Sequence, residues 1–197
     1  MYENKIITEP KWKSWIVQTT TPLFTPEQCR QIISSGRAQK PQQAQVGMNK
    51  PEGGTDTKKR VTTISWIPFQ EMGHMYQDLN TFIQKANENH FGFGDIQVTE
   101  QAQFTEYPEG GFYDWHMDCD VNMGHEPPVR KISMTLLLND PSEFEGGDLE
   151  LMAPGKFANL KQGHAICFAS FLNHRVNPVT RGMRQSLVVW FGGKAFR

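Results

Sequence analysis

The sequence predicts a mainly β protein with N-terminal helices: a β-sandwich or jelly roll with the helices packed on one sheet. Three observations predict it. Helical periodicity is confined to two segments before residue 91, while from residue 96 onward short apolar–polar alternating runs follow one another. Pro, Gly and Asn-Asp-Pro turns separate those runs. No helix alternates with the late strands, which disfavours a doubly wound α/β arrangement.

The first helix starts at Thr25-Pro26-Glu27-Gln28, where Thr25 can cap, Pro26 suits the first helical position and Gln28 completes a capping box. It runs through Ile32 and Ile33 and is expected to stop near Gly36. Residues 37 to 60 read as a polar connection whose tip, MNKPEGGTDTKKR (48–60), is a mobile loop with a Gly53-Gly54 hinge. RVTTISWIP reads as a strand. From Gln70 to His90, Met72, Met75, Tyr76, Leu79, Phe82, Ile83 and Ala86 recur at three and four, the stripe of an amphipathic helix. FGFG ends it. The strands IQVTEQAQFTEY, FYDWHMD, VRKISMTLLLN, GDLELM, HAICFAS, HRVNPV and MRQSLVVWF follow.

The 197 residues suffice for one domain with a substantial core, taken here as residues 1–197. Lys plus Arg (20) nearly balance Asp plus Glu (21), so the total charge of −1 gives no sign of a nucleic-acid or membrane-surface binder. No apolar run approaches a membrane span, and no secretion signal is legible at the N-terminus. Three cysteines, Cys29, Cys119 and Cys167, form no Cys-x-x-Cys pair, which suits a reducing cytoplasm better than a disulfide framework.

Chemistry concentrates in GGFYDWHMDCD, residues 110–120. His116 and Asp118 sit two apart on a strand-like run and would share a face, as two ligands of one metal would. A facial site needs a third ligand from a distant strand. His125, His164 and His174 are the later candidates; His125 falls in a loop and His164 follows a Gln-Gly turn. Near the C-terminus, Arg184 and Ser186 share one strand face with Val188 and Trp190, while Leu187, Val189 and Phe191 occupy the other. An arginine flanked by apolar residues on both faces can hold a carboxylate bidentately inside a pocket. Asp120 reads as a carboxylate behind the ligands or in solvent and not as a fourth ligand, Cys119 as a packed thiol, and Trp115 as a core residue alternating away from the metal. Arg130 and Lys131, at the start of a strand, could touch substrate or be a solvated strand end.

These motifs resemble the Fe(II)- and 2-oxoglutarate-dependent oxygenases, in particular the prolyl-4-hydroxylase-like branch with its bacterial PKHD-type hydroxylases. The pattern Tyr-x-x-Gly-x-x-Tyr-x-x-His-x-Asp reads from Tyr107 through Gly110, Tyr113 and His116 to Asp118. Leu138-Asn139 precedes Gly146-Gly147, and His-Arg-Val-x-Pro-Val-x-x-Gly-x-Arg spans residues 174 to 184. The resemblance implies a double-stranded β-helix, a cupin-like jelly roll. It implies His116, Asp118 and His174 as iron ligands, Arg184 as the 2-oxoglutarate anchor, and Tyr107 and Ser186 as supporting donors. O2 would be the co-substrate and ascorbate a stimulant. The reaction implied is hydroxylation of an unactivated C–H bond, with succinate and CO2 as co-products, on a prolyl or other amino-acid residue, peptidyl or free. Trp190 and Arg130 are candidate substrate contacts, and loop 48–60 is a candidate lid. Hydroxylation of an unrelated small metabolite, or a metal-holding module without turnover, are the alternatives. Asp118 argues against the halogenating branch. Trp190, where the nucleic-acid demethylase branch carries a second arginine, argues against nucleic acid as a partner.

Overall fold

A computed structural model describes residues 14–43, 58–119, 128–153 and 159–194. Among these the chain runs β1 (Ile16–Gln18), α1 (Pro26–Ala38), β2 (Gln42–Gln43), β3 (Arg60–Val61), β4 (Thr63–Ile67) and α2 (Gly73–Ala86), the last followed by one π-helical turn. It continues through β5 (Gln97–Val98), β6 (Ala102–Tyr107), β7 (Phe112–His116), β8 (Val129–Leu137), β9 (Phe144–Gly146) and β10 (Leu149–Leu151). It ends with β11 (Ala165–Ala169), β12 (His174–Val176), β13 (Val179–Gly182) and β14 (Arg184–Gly193).

The strands form a double-stranded β-helix whose two main sheets are antiparallel and neither closed on itself, with a separate two-stranded pair. The major sheet has the order β1-β11-β8-β14-β6-β4-β2, with β5 also on β14; the minor sheet has the order β10-β12-β7-β3, and β9 pairs with β13. The single strand expected over RVTTISWIP is two. β3 pairs with β7 in the minor sheet and β4 with β6 in the major sheet, so the chain changes sheets at Thr62. The Thr62 hydroxyl donates to the Glu106 carbonyl at 2.7 Å, tying that crossover down. β1 and β2, the edge strands of the major sheet, carry no periodic signal long enough to read from sequence.

The two faces of the major sheet differ in chemistry. Leu187, Val189 and Phe191 of β14 and Ile132, Met134 and Leu136 of β8 join the helix stripes in one apolar core. The α1 contribution is Cys29 and Ile32; that of α2 is Met75, Tyr76, Leu79, Ile83 and Ala86. The opposite face looks toward the minor sheet and is polar and buried: Gln103, Thr105, Ser133, Thr135, Arg184 and Ser186. Alternation along each strand produces this division.

The capping box at Thr25 and Gln28 forms as the sequence indicates. The helix, however, passes through Gly36 to Ala38 instead of stopping there. Gly36 is a packing residue: a Cβ on it would lie 2.3 Å from Cγ of Phe104, a buried ring on β6. Gly36→Val should therefore cost about 1–3 kcal/mol through overpacking. A urea midpoint equal to wild type would mean that Phe104 can step aside.

Candidate metal centre and cofactor pocket

His116 and His174 face each other across the β7–β12 ladder, with ring centroids 4.1 Å apart. The register shifts between His174 and Val176, so that Asp114 and Trp115 together oppose Arg175 alone. This bulge turns Tyr113 and His116 to the same side, where their rings stack at 3.5 Å. Each histidine is oriented from behind: Nδ1 of His116 donates to the Asp114 carbonyl at 2.8 Å, and Nδ1 of His174 to the Leu172 carbonyl at 3.0 Å. A carbonyl can only accept, so in each ring Nδ1 carries the hydrogen and Nε2 is left with its lone pair.

Asp118 lies beyond the end of β7, not on it. Its placement comes from two backbone bonds, in which the N–H groups of Asp118 and Cys119 both donate to the Ser170 carbonyl at 3.0 Å. The carboxylate then stands 3.6 Å from Nε2 of His116 and 3.6 Å from Nε2 of His174. One donor atom from each of the three residues falls within 4.8 Å of the others. Two imidazole nitrogens and one carboxylate oxygen on one side of a small space suit octahedral Fe(II) with open positions.

Electrostatics keep the donors in ligand form. Burial first, and then the neighbouring His174, push His116 down to about 4, against the raising influence of Asp118. For Asp118, burial by itself works upward, but His174, His116, the Ser133 hydroxyl and the nearby Trp190 indole outweigh it and hold the carboxyl below the ordinary carboxylate range. The Trp190 N–H nevertheless makes no hydrogen bond of proper geometry among the described residues.

Arg184, only 3% exposed, opens β14 opposite Tyr107. Its Nη1 donates to Ser186 Oγ at 3.1 Å, and its guanidinium carbon lies 5.6 Å from the centre of the Tyr107 ring. Burial works against its charge, with Tyr107 and Asp148 opposing that effect. Among the described residues no carboxylate comes within ion-pair distance of it. A buried guanidinium left in this condition fits an incoming carboxylate. Gly147 makes the room: its φ is +69°, and a Cβ there would lie 2.8 Å from Arg184 Cδ.

Residues 102–192 match the family described as the 2OG-Fe(II) oxygenase superfamily. Over this stretch the chain is similar to that superfamily. It is 29% identical over 144 residues to a PKHD-type hydroxylase of Maricaulis maris, covering 71% of this chain and 64% of that protein. To a PKHD-type hydroxylase of Colwellia psychrerythraea it is 34% identical over 147 residues, covering 72% and 64%. The chain thus spans less than two thirds of the length of these curated relatives. A crystal structure of a Pseudomonas putida prolyl-4-hydroxylase superposes with a TM-score of 0.69 at 21% identity, over 93% of this chain and 95% of that one. A viral collagen prolyl hydroxylase from Paramecium bursaria Chlorella virus-1, solved with 2-oxoglutarate, gives 0.70 at 16% identity, over 92% and 97%. The cofactors of the superfamily are Fe(II) and 2-oxoglutarate, with O2 as co-substrate, and the donor set and the buried Arg184 fit both.

Other expected residues fall as follows. Trp190 lies on the Arg184 side of β14 and is buried. Arg130 stacks over its ring at 3.8 Å and grips Glu100 with two 2.6 Å hydrogen bonds. A bulge explains why Arg130 points inward. Gly192 pairs with Arg130 and Phe191 with Ile132, so Lys131 is the extra residue. Lys131 is itself buried and donates to the Gly94 carbonyl at 3.4 Å, neither a solvated strand end nor a site residue. Trp115 alternates away from the metal cluster as expected but is not core: it is 36% exposed beneath the Arg175 guanidinium. Cys119 is a packed thiol. His164 sits just before β11 against Thr19, apart from the three candidate donors. His125, Asp120 and loop positions 48–57 lie outside the described residues. Sequence reasoning assigned nothing to Ser133, Ser170, Glu100 or Arg60. Arg60 lies 4.3 Å over the Tyr113 ring and donates to Gln103 at 3.0 Å. Only Tyr113, inside the tyrosine–glycine motif, carried a sequence signal.

The depressed His116 value has a measurable consequence for the metal-free protein. Between about pH 4 and the unfolded value near 6.5, the unfolded chain binds the extra proton and the folded one does not. The His116 contribution to stability is therefore complete above about 6.5 and is lost as pH falls through about 4. Metal-free wild type should lose unfolding free energy over this range more steeply than His116→Gln. Parallel pH profiles would contradict the buried, neutral imidazole.

Proposed function

We propose that the chain, acting as one domain over residues 1–197, is an Fe(II)- and 2-oxoglutarate-dependent hydroxylase. His116, Asp118 and His174 hold the metal. Arg184, helped by Ser186 and Tyr107, holds the distal carboxylate of 2-oxoglutarate. The observation that carries this reading is the pairing of a three-donor cluster with a buried, otherwise unneutralised guanidinium in one fold. A module that merely held metal would have no use for Arg184.

When bound, the iron would couple oxidative decarboxylation of 2-oxoglutarate by O2, giving succinate and CO2, to oxygen insertion into an unactivated C–H bond. The protein's own residues bind and orient. The two Nε2 lone pairs and the Asp118 carboxylate would hold the metal. Arg184 fixes one end of 2-oxoglutarate, so that its reactive end reaches the metal in one orientation. The carboxylate would meet a fork of guanidinium donors with the Ser186 and Tyr107 hydroxyls beside it. Burial of Arg184 and Ser186 excludes water from that contact.

The substrate we infer is a prolyl or other amino-acid residue, within a peptide or free. Its approach is lined by Tyr113 and Trp190, with Arg130 and Arg60 above their rings. The guanidinium groups offer donors for backbone carbonyls. The prolyl hydroxylase names of the structural neighbours are consistent with this. Three buried cysteines with no disulfide between them support a cytoplasmic setting. No helix among the described residues is long and apolar enough to cross a membrane.

Succinate formation from 2-oxoglutarate with Fe(II) and ascorbate tests the activity, and a mass-spectrometric screen of proline peptides and free amino acids for one added oxygen tests the substrate. His116→Ala, Asp118→Ala and His174→Ala should each abolish succinate formation, whereas His164→Ala should be near neutral. Full activity in any of the first three would remove that residue from the ligand set. Arg184→Ala should weaken 2-oxoglutarate binding by about 2–5 kcal/mol while sparing metal binding. Arg184→Lys should recover only part, because an ammonium lacks the planar fork.

A further inference from the structure

The Asp118 carboxylate is the one donor of the cluster that no strand holds in place. β7 ends at His116, and Met117 beyond it is 47% exposed. What brings the carboxylate to the cluster is the major sheet. Ser133 Oγ on β8 lies 2.7 Å from Asp118 Oδ2, and Ser170 Oγ lies 2.9 Å from Ser133 Oγ. Both serines are almost fully buried, at 1% and 0% exposure. The Ser170 backbone accepts from the Asp118 and Cys119 amides, and its own N–H donates to the Lys131 carbonyl at 2.9 Å.

The hydrogen positions follow from chemistry. An ionised carboxylate only accepts, so the single Ser133 hydrogen goes to Asp118. Ser133 must then accept from Ser170, and the order Ser170 to Ser133 to Asp118 has one direction. Such chains polarise each member toward the acceptor and strengthen the terminal bond. Oδ2 is partly committed to Ser133, whereas Oδ1 accepts no hydrogen bond among the described residues.

We propose that Ser133 and Ser170 form a hydroxyl relay that positions the Asp118 carboxylate to bind metal through a single oxygen. Engaging one oxygen keeps the carboxylate from chelating the metal with both, and so preserves an open coordination position. These are positioning residues: neither need touch metal, cofactor or substrate. The inference rests on the reading of His116, Asp118 and His174 as ligands.

Mn(II) and Co(II) titrations of the metal-free protein test it without turnover. Ser133→Ala should weaken Mn(II) binding about 10- to 100-fold, the range for residues that orient a metal ligand. It should also alter the visible Co(II) spectrum, which reports coordination geometry. Ser133→Thr keeps the hydroxyl on a strand-favouring frame and should restore both. Ser170→Ala keeps the carbonyl that holds the loop and removes only the first donor, so it should shift both readouts in the same direction by less. It also serves if Ser133→Ala folds poorly. A merely structural role would lower the melting temperature and leave Mn(II) affinity and the Co(II) spectrum unchanged in the folded fraction, and that result would overturn the relay. If Asp118→Ala and His116→Ala lose Mn(II) but both serine variants bind as wild type, only the relay fails. If Asp118→Ala and His116→Ala bind as wild type, the ligand reading fails with it.

Discussion

Between the two sheets the protein buries a layer of polar groups, and burial of this kind is tolerated only where each group finds a partner. Most do. Gln103 accepts from Arg60, Ser133 is held between Asp118 and Ser170, and each histidine spends one nitrogen on a backbone carbonyl. The exceptions cluster. Among the described residues, beside the unpaired Trp190 Nε1–H and Arg60 Nε–H groups, the unfilled valences are two Nε2 lone pairs, one carboxylate oxygen and the open side of the Arg184 guanidinium, and these last match a cation and a dicarboxylate. The apolar core on the opposite face of the major sheet supplies the stability that permits this layer.

Two local irregularities turn this layer into a site. The bulge at Asp114–Trp115 brings Tyr113 and His116 onto one side, and the bulge at Lys131 does the same for Arg130 and Ser133. Without them, strict alternation would send one member of each pair outward. The change of sheets at Thr62 works similarly: it lets Arg60 stack on Tyr113 from the minor sheet while β4 continues the major one. Glycine completes the set at Gly147, where a side chain would collide with Arg184. The site is thus built from departures from regular strands, held by regular strands around them.

This is also why the sequence revealed some of it and hid the rest. Periodicity exposed both helices and the two faces of β14, because alternating burial leaves a pattern in composition. Motif spacing brought His116, His174 and Arg184 forward. Asp118 was expected on the His116 strand face, and its true support, the Ser170 carbonyl, is 52 residues away in sequence with no local trace. Glu100 and Arg130 pair across 30 residues for the same reason. Trp115 read as core because it alternates away from His116, but its ring lies at the surface beside Arg175. Gly36 looked like a helix stop since glycine often is one, and only the approach of Phe104 shows its packing role.

The central claim is that the unfilled valences between the sheets belong to one metal and one 2-oxoglutarate. A crystal grown with Mn(II) and 2-oxoglutarate, with data collected at the manganese absorption edge, tests it most directly. The account predicts one anomalous peak bonded to His116 Nε2, one Asp118 oxygen and His174 Nε2, and a 2-oxoglutarate carboxylate in hydrogen-bond contact with Arg184. A peak ligated elsewhere, or 2-oxoglutarate bound without its carboxylate at Arg184, would contradict it.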